Sequence, residues 1–224
     1  MRMRRKKHLE EKLAGCGDLL IIKESEELNF DAAGSGNEEM NPAEIFKNKN
    51  PTVLEVGAGK GMFAAQLAKL NPNVNIIAVE KDSGICVDAV QTLRSAGVSN
   101  ARVLKTRAEY LGRYLPENSI ESIYLNFSCP YPKNTYAGHR LTAPRFLNIY
   151  KKLLKDGGGI YQKTDNMKLF EYSIESLSSN GFVLKNISLD LHHSDFEGNI
   201  ETEYEKKFVS QGLPIYRLEA YIIK

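Results

Sequence analysis

From residue 52 onward, short apolar runs alternate with segments whose apolar positions recur every three to four residues. That alternation predicts strands interleaved with helices. Thr52–Val56 reads as a strand ending in glycines, and Met62–Leu70 as a helix with Phe63, Leu67 and Leu70 on one face, stopped by Asn71-Pro72. Val74–Val79 is a buried parallel strand, followed by a helix over Gly84–Ala96 that Gly97 closes. Arg102–Lys105 and Ile120–Phe127 are the next strands. Pro144–Leu154 is a helix ended by Asp156-Gly157-Gly158-Gly159, Ile160–Gln162 a fifth strand and Met167–Ser178 another helix. Phe182–Leu189 and Tyr216–Ile222 close the pattern with no periodic helix between them, which predicts an antiparallel edge hairpin. The expected fold is α/β, a mostly parallel seven-stranded sheet with helices on both faces.

Residues 1–41 lack this pattern. Arg2, Arg4, Arg5, Lys6 and Lys7 make a basic tip, and the acid-rich stretch behind it contains Gly34-Ser35-Gly36-Asn37. We read 1–41 as a partly mobile extension and 42–224 as a single domain. The tip is either a solvated tail or a phosphate-binding arm. Net charge is only +2, so affinity for nucleic acid must come from such local patches. No apolar run reaches the roughly 18 residues that cross a bilayer, and the basic start has no apolar segment behind it. A cytoplasmic protein without a membrane span is therefore expected. Cys16, Cys86 and Cys129 have no metal or redox spacing, and His192-His193 has no third ligand nearby in sequence. No metal is expected.

The first strand runs into Glu55-Val56-Gly57-Ala58-Gly59-Lys60-Gly61, where glycines permit a sharp turn and close approach of backbone to a ligand. A dinucleotide fingerprint needs glycine where Met62 stands, so nicotinamide cofactors lose ground. Glu80 ends the second strand, placed to accept hydrogen bonds from both hydroxyls of a ribose. Glu55 puts an anion beside the glycines, which suits a cationic amino group better than a phosphate. The pair favours S-adenosylmethionine.

Three further stretches are more specific: Tyr124-Leu125-Asn126-Phe127-Ser128-Cys129-Pro130-Tyr131-Pro132-Lys133, Lys163-Thr164-Asp165-Asn166 and Thr202-Glu203-Tyr204-Glu205. With Leu54-Glu55-Val56-Gly57 they resemble, in order and spacing, the signature segments of the bacterial tRNA (guanine-N7)-methyltransferases. The resemblance implies a class I, Rossmann-like S-adenosylmethionine-dependent fold, methylation of a variable-loop guanine in tRNA, and a monomer or homodimer. It implies cofactor contacts from Glu55, Gly57, Gly59, Gly61, Glu80, Arg107, Ala108, Asn126 and Cys129. It assigns guanine and tRNA contacts to Lys133, Asp165, Thr202, Glu203, Tyr204 and Glu205, and raises the phosphate-binding reading of Arg2–Lys7. Three positions depart from the family, in two places. Cys129 stands where an aspartate is common, with Tyr131 in place of tryptophan, and Arg107 replaces another aspartate.

The first departure bears on the usual catalytic assignment. Guanine N7 carries an in-plane lone pair and no proton, so positioning matters more than a base. A carboxylate accepting from N1–H and the exocyclic amine raises electron density at N7 and stabilises the cationic product. Asp165 is the candidate, with Glu203 or Glu205 second, whereas a thiol is a poor substitute for a carboxylate at Cys129. Lys133 suits a phosphate or a base oxygen. Two other readings stay open: a different S-adenosylmethionine-dependent RNA methyltransferase, and a tRNA-binding protein that has lost its activity.

Overall fold

The computed structural model describes residues 6–23 and 39–223. Among the described residues the strands are β1 (Leu20–Ile22), β2 (Thr52–Val56), β3 (Asn75–Glu80), β4 (Ala101–Lys105), β5 (Ile120–Asn126), β6 (Leu154–Thr164), β7 (Val183–Ser188) and β8 (Tyr216–Tyr221). They form one sheet in the order β1-β4-β3-β2-β5-β6-β8-β7. Ladders are parallel from β1 across to β6, while β8 runs antiparallel to both β6 and β7. The helices are α1 (Leu9–Ala14), α2 (Pro42–Phe46), α3 (Met62–Leu70), α4 (Ser83–Ala96), α5 (Leu111–Tyr114), α6 (Pro144–Leu153), α7 (Met167–Ser179) and α8 (Glu203–Val209).

The sheet thus has eight strands rather than the seven expected. The additional one, β1, is a three-residue edge strand paired with β4 through Leu20↔Val103 and Ile22↔Lys105, too short to show a period of two. It belongs to the stretch we assigned to the extension. Arg94 of α4 fastens the same stretch, its Nη2 donating to the carbonyls of Gly15 (2.8 Å) and Cys16 (2.9 Å). Residues 24–38 of the extension, and Arg2, Arg4 and Arg5 of its tip, lie outside the described residues.

Two apolar layers sandwich the sheet. α1, α3 and α4 cover a cluster around Ile76, Ala78, Val90, Leu93 and Val103. α5, α6 and α7 cover Leu54, Ile77, Ile123, Leu147, Tyr150, Ile160 and Phe170. Local signals start and stop the helices as the side-chain chemistry requires. Asp82 caps α4 by accepting from the amides of Gly84 and Ile85, and Gly97 ends it in the left-handed region at φ 67°. Pro144 opens α6, and Asn166 caps α7 by accepting from Leu169 N–H at 2.9 Å. The Asp156-Gly157-Gly158 stretch bulges from the β5–β6 ladder, because Ile120 pairs with Leu154 but Ser122 with Gly159.

Chain direction across the sheet reverses at β2. β3 and β4 lie to one side of it, β5 and β6 to the other. In open α/β sheets a ligand crevice forms beyond the strand ends at such a reversal. Here it opens between the Gly57–Gly61 turn and Asn126.

Candidate active site

A cavity of about 340 Å³ occupies that crevice. Its floor is the glycine turn, with Gly57 at φ 83°, Gly59 at φ 55° and Gly61 at φ 74°, all left-handed. Gly61 does not line the cavity; it lets α3 approach α4, since a Cβ there would sit 3.2 Å from that of Ala89. Gly57 and Gly59 do line it, with Glu55, Glu80, Arg107, Ala108, Asn126 and Cys129.

The two carboxylates differ in use. Glu80 accepts from three amides: Lys81 N–H (2.8 Å) and Asp82 N–H (3.0 Å) at Oε1, and Gly59 N–H (3.2 Å) at Oε2. Those bonds fix its orientation at the cavity wall. Glu55 is buried, with Oε1 accepting from Asn126 Nδ2 at 3.2 Å and Oε2 left without a hydrogen-bond partner among the described residues. Burial pushes the Glu55 carboxyl up to about 8, although Asn126, the Ala64 amide and the Lys163 ammonium pull it down. A buried acceptor without a donor is costly unless a ligand supplies one.

The opposite rim is aromatic. Phe127 stacks on Tyr204 (centroids 6.4 Å apart) and on Phe208 (6.0 Å), and Tyr131 leans on His139 at 5.6 Å. Phe127 (φ 50°) and Tyr131 (φ 42°) are both left-handed, an unfavourable conformation for aromatic residues. Arg140 braces the loop from behind. Its Nε donates to Pro130 O (3.1 Å) and its Nη2 to Tyr131 O (3.1 Å), while the guanidinium lies 4.3 Å from the centroid of the Tyr172 ring. Cys129 is exposed between these residues. Across the mouth, Lys60 Nζ reaches Glu203 Oε2 at 3.7 Å.

The structure therefore gathers Thr202, Glu203 and Tyr204 with Glu55, Glu80 and the glycine turn, but not every expected contact. Lys133 is exposed and outside the lining. Asp165, directly after β6, also lies outside the lining; it is half-buried and makes no hydrogen bond or ion pair among the described residues. Glu205, expected as a substrate contact, does not line the cavity. It is fully buried, and its oxygens are taken by Lys163 Nζ (2.6 Å), Asn199 Nδ2 (2.5 Å) and His192 Nε2 (3.0 Å). Thr202 shares in that fixation: its Oγ1 accepts from Glu205 N–H at 3.0 Å, and Glu205 Oε2 from Thr202 N–H at 3.4 Å, a capping box on α8. Arg107 points its guanidinium to Glu109 at 3.2 Å. In the basic tip Lys6 pairs with Asp88 of α4, and Lys7 is exposed. Sequence reasoning missed Lys163, Asn199 and Arg140, all of which act on these loops; only the Thr202-x-x-Glu205 spacing signalled any of it.

A phosphate-binding turn offers donors alone, whereas here an acid sits under the glycines with one oxygen waiting for a donor. That arrangement suits the ammonium of an amino-acid moiety, and Glu80 suits the ribose beyond it. The protein is a class I S-adenosylmethionine-dependent methyltransferase. The 16S rRNA methyltransferase KamB shares its fold, with a TM-score of 0.59 at 15% identity over 90% of this chain and 96% of that one. The profile of the family described as "Putative methyltransferase" matches residues 49–218. A tRNA (guanine-N(7)-)-methyltransferase of Geobacillus sp. (strain WCH70) is 43% identical over 98% of this chain and 94% of its own length. One from Listeria monocytogenes serotype 4b (strain F2365) is 48% identical over 79% and 83%. The chain belongs to the tRNA (guanine-N7)-methyltransferase family. No helix among the described residues is long and apolar enough to cross a membrane.

Proposed function

We propose that this chain is a cytoplasmic enzyme that methylates N7 of a variable-loop guanine in tRNA. The observation that carries the reading is the meeting, at one cavity, of a cofactor wall (Glu55, Gly57, Gly59, Glu80) and an aromatic rim (Phe127, Tyr131, Tyr204). Aromatic faces hold bases that have left a stack. When bound, S-adenosylmethionine supplies an electrophilic methyl group on sulfur. The protein's part is to hold acceptor and donor in line, which in favourable cases is worth several orders of magnitude.

Glu55 Oε2 accepts from the ammonium of the methionine moiety, and Glu80 from the ribose hydroxyls. Asp165 is the carboxylate for N1–H and the exocyclic amine: it emerges at the carboxyl edge of the sheet beside Phe127, whose N–H donates to Lys163 O at 2.8 Å. Having no partner among the described residues, it is available to the base. Lys133 and the basic tip, including exposed Lys7, serve the tRNA backbone.

The test is transfer of label from S-adenosylmethionine to unmodified tRNA transcripts, mapped by chemical cleavage at N7-methylguanine. Cleavage at one variable-loop guanine is expected. Label at another atom makes the protein a different RNA methyltransferase. Binding of both ligands without label makes it a tRNA-binding protein that has lost its activity.

A further inference from the structure

Lys163 is an unusual occupant of a strand end. Its side chain is 8% exposed, and its ammonium donates three hydrogen bonds, all into residues 199–205: Asn199 Oδ1 (2.9 Å), Ile200 O (2.8 Å) and Glu205 Oε2 (2.6 Å). Lys163 thus spends its whole donor capacity on a segment that no strand ladder joins to the sheet among the described residues. Glu205 answers from the other side. Burial works against its charge, yet the Lys163 ammonium and the bonds from Lys163, Asn199 and Thr202 hold its carboxyl below the ordinary glutamate range. The same Glu205 closes the capping box with Thr202, so ion pair and helix start are one structure. The Lys163 ammonium also lies 5.8 Å from the centroid of Phe63, a lining residue of the cofactor cavity.

We propose that Lys163 and Glu205 are positioning residues whose ion pair seats Thr202, Glu203 and Tyr204 against the cofactor cavity. The role rests on the reading above that this segment receives the target base. Without the pair, the segment keeps the stacking of Tyr204 and Phe208 on Phe127 and the exposed Lys60–Glu203 pair, and Tyr204 itself is more than half exposed at 59%. A base platform displaced by even an ångström loses in-line geometry while the cofactor site stays intact.

Removing one partner leaves the other buried and unpaired, which threatens the fold and says little about position. The informative variant replaces both, Lys163→Met with Glu205→Gln, keeping volume and one acceptor oxygen for Thr202 N–H. Its S-adenosylmethionine affinity is expected within about threefold of the parent, with kcat on tRNA down by roughly a hundredfold. Hydrogen exchange across Thr202–Val209 should quicken by at least about tenfold while Gly57–Leu70 is unchanged. If the double variant does not fold, Asn199→Ala, which spares the ion pair, is expected to lower kcat about fivefold at constant cofactor affinity. Parental kcat and exchange overturn the proposal, as does a parallel fall in cofactor affinity, which would mark a general stabilising pair. Should the parent itself methylate no tRNA, the function reading fails, while the exchange comparison still decides the positioning role.

Discussion

The two halves of the cavity are held by opposite means. On the proposed cofactor side the candidate ligands sit at strand ends or on a turn that the backbone dictates; Glu80 is fixed by three main-chain amides, and Glu55 is buried and bonded by Asn126. On the base side the chain itself is irregular. The Phe127–Tyr131 loop accepts hydrogen bonds from Arg140, and the residues flanking Thr202–Tyr204 accept from Lys163 at Ile200 O and Glu205 Oε2. A site of the first kind comes with the fold and survives most surface change. A site of the second kind is adjustable, and depends on a few buried polar side chains far apart in sequence.

The comparison breaks most sharply at Glu55. Glu55→Gln keeps the hydrogen bond to Asn126 but removes the charge proposed to meet the ligand's ammonium, and is expected to weaken S-adenosylmethionine binding by about a hundredfold, or ~2.7 kcal/mol. The pH dependence follows from the same burial. The free protein's Glu55 titrates near 8, so below that pH the ionised, binding-competent fraction falls about tenfold per unit. Wild-type affinity should therefore tighten as pH rises from about 6 toward 8 and then level off, with about one proton released on binding near neutrality. For stability the sign is opposite. The folded pKa lies above the ordinary 4.5, so the folded state holds the extra proton and the cofactor-free protein loses stability as pH rises from 4.5 to about 8. Glu55→Gln should remove that slope. Calorimetry across pH, with and without ligand, checks both halves; pH-independent binding by the wild type would separate Glu55 from the ammonium.

Asp165→Ala tests the other half at its most chemical point. Removing the carboxylate is expected to lower kcat on tRNA by two to three orders of magnitude, with S-adenosylmethionine affinity changed less than about twofold. Single-turnover methylation beside equilibrium binding separates the two. Equal losses would place Asp165 in the cofactor site and erase the division between the halves.

This division also explains what was legible in the sequence. Strand after strand and the glycine turn follow from period and composition, and Met62–Leu70 forms over the residues its pattern predicts. Glu55 and Glu80 are readable because their chemistry depends on where a strand ends. β1 was hidden because three residues carry no period. α8 was hidden for another reason: Thr202-x-x-Glu205 has the capping-box spacing, but four charges in seven residues, Glu203, Glu205, Lys206 and Lys207, mask any apolar face. Lys163 and Arg140 were beyond reach. Nothing local distinguishes a lysine that ends a strand in solvent from one whose ammonium is buried against residues 36 to 42 positions away. Position along the chain predicts backbone; only the folded molecule shows which long side chains cross it.

Cys129 is where the smallest effect is expected, and it sharpens the comparison by asking whether the adjustable half tolerates change at its centre. Its thiol is exposed, lines the cavity and sits on a loop shaped by Arg140, Phe127 and Tyr131 rather than by itself. Guanine N7 has no proton to surrender, so nothing at this position needs to act as a base. Cys129→Ser should accordingly leave kcat/KM within about threefold, less than ~0.7 kcal/mol of transition-state stabilisation. Cys129→Asp should stay within about tenfold if, as proposed, Asp165 at the end of β6 supplies the carboxylate that polarises the base. Steady-state kinetics on the tRNA transcript reads both variants. A loss beyond a hundredfold in the serine variant would put the sulfur in contact with the reacting base, and would move the catalytic centre of the base-side half from Asp165 to the loop that Arg140 holds.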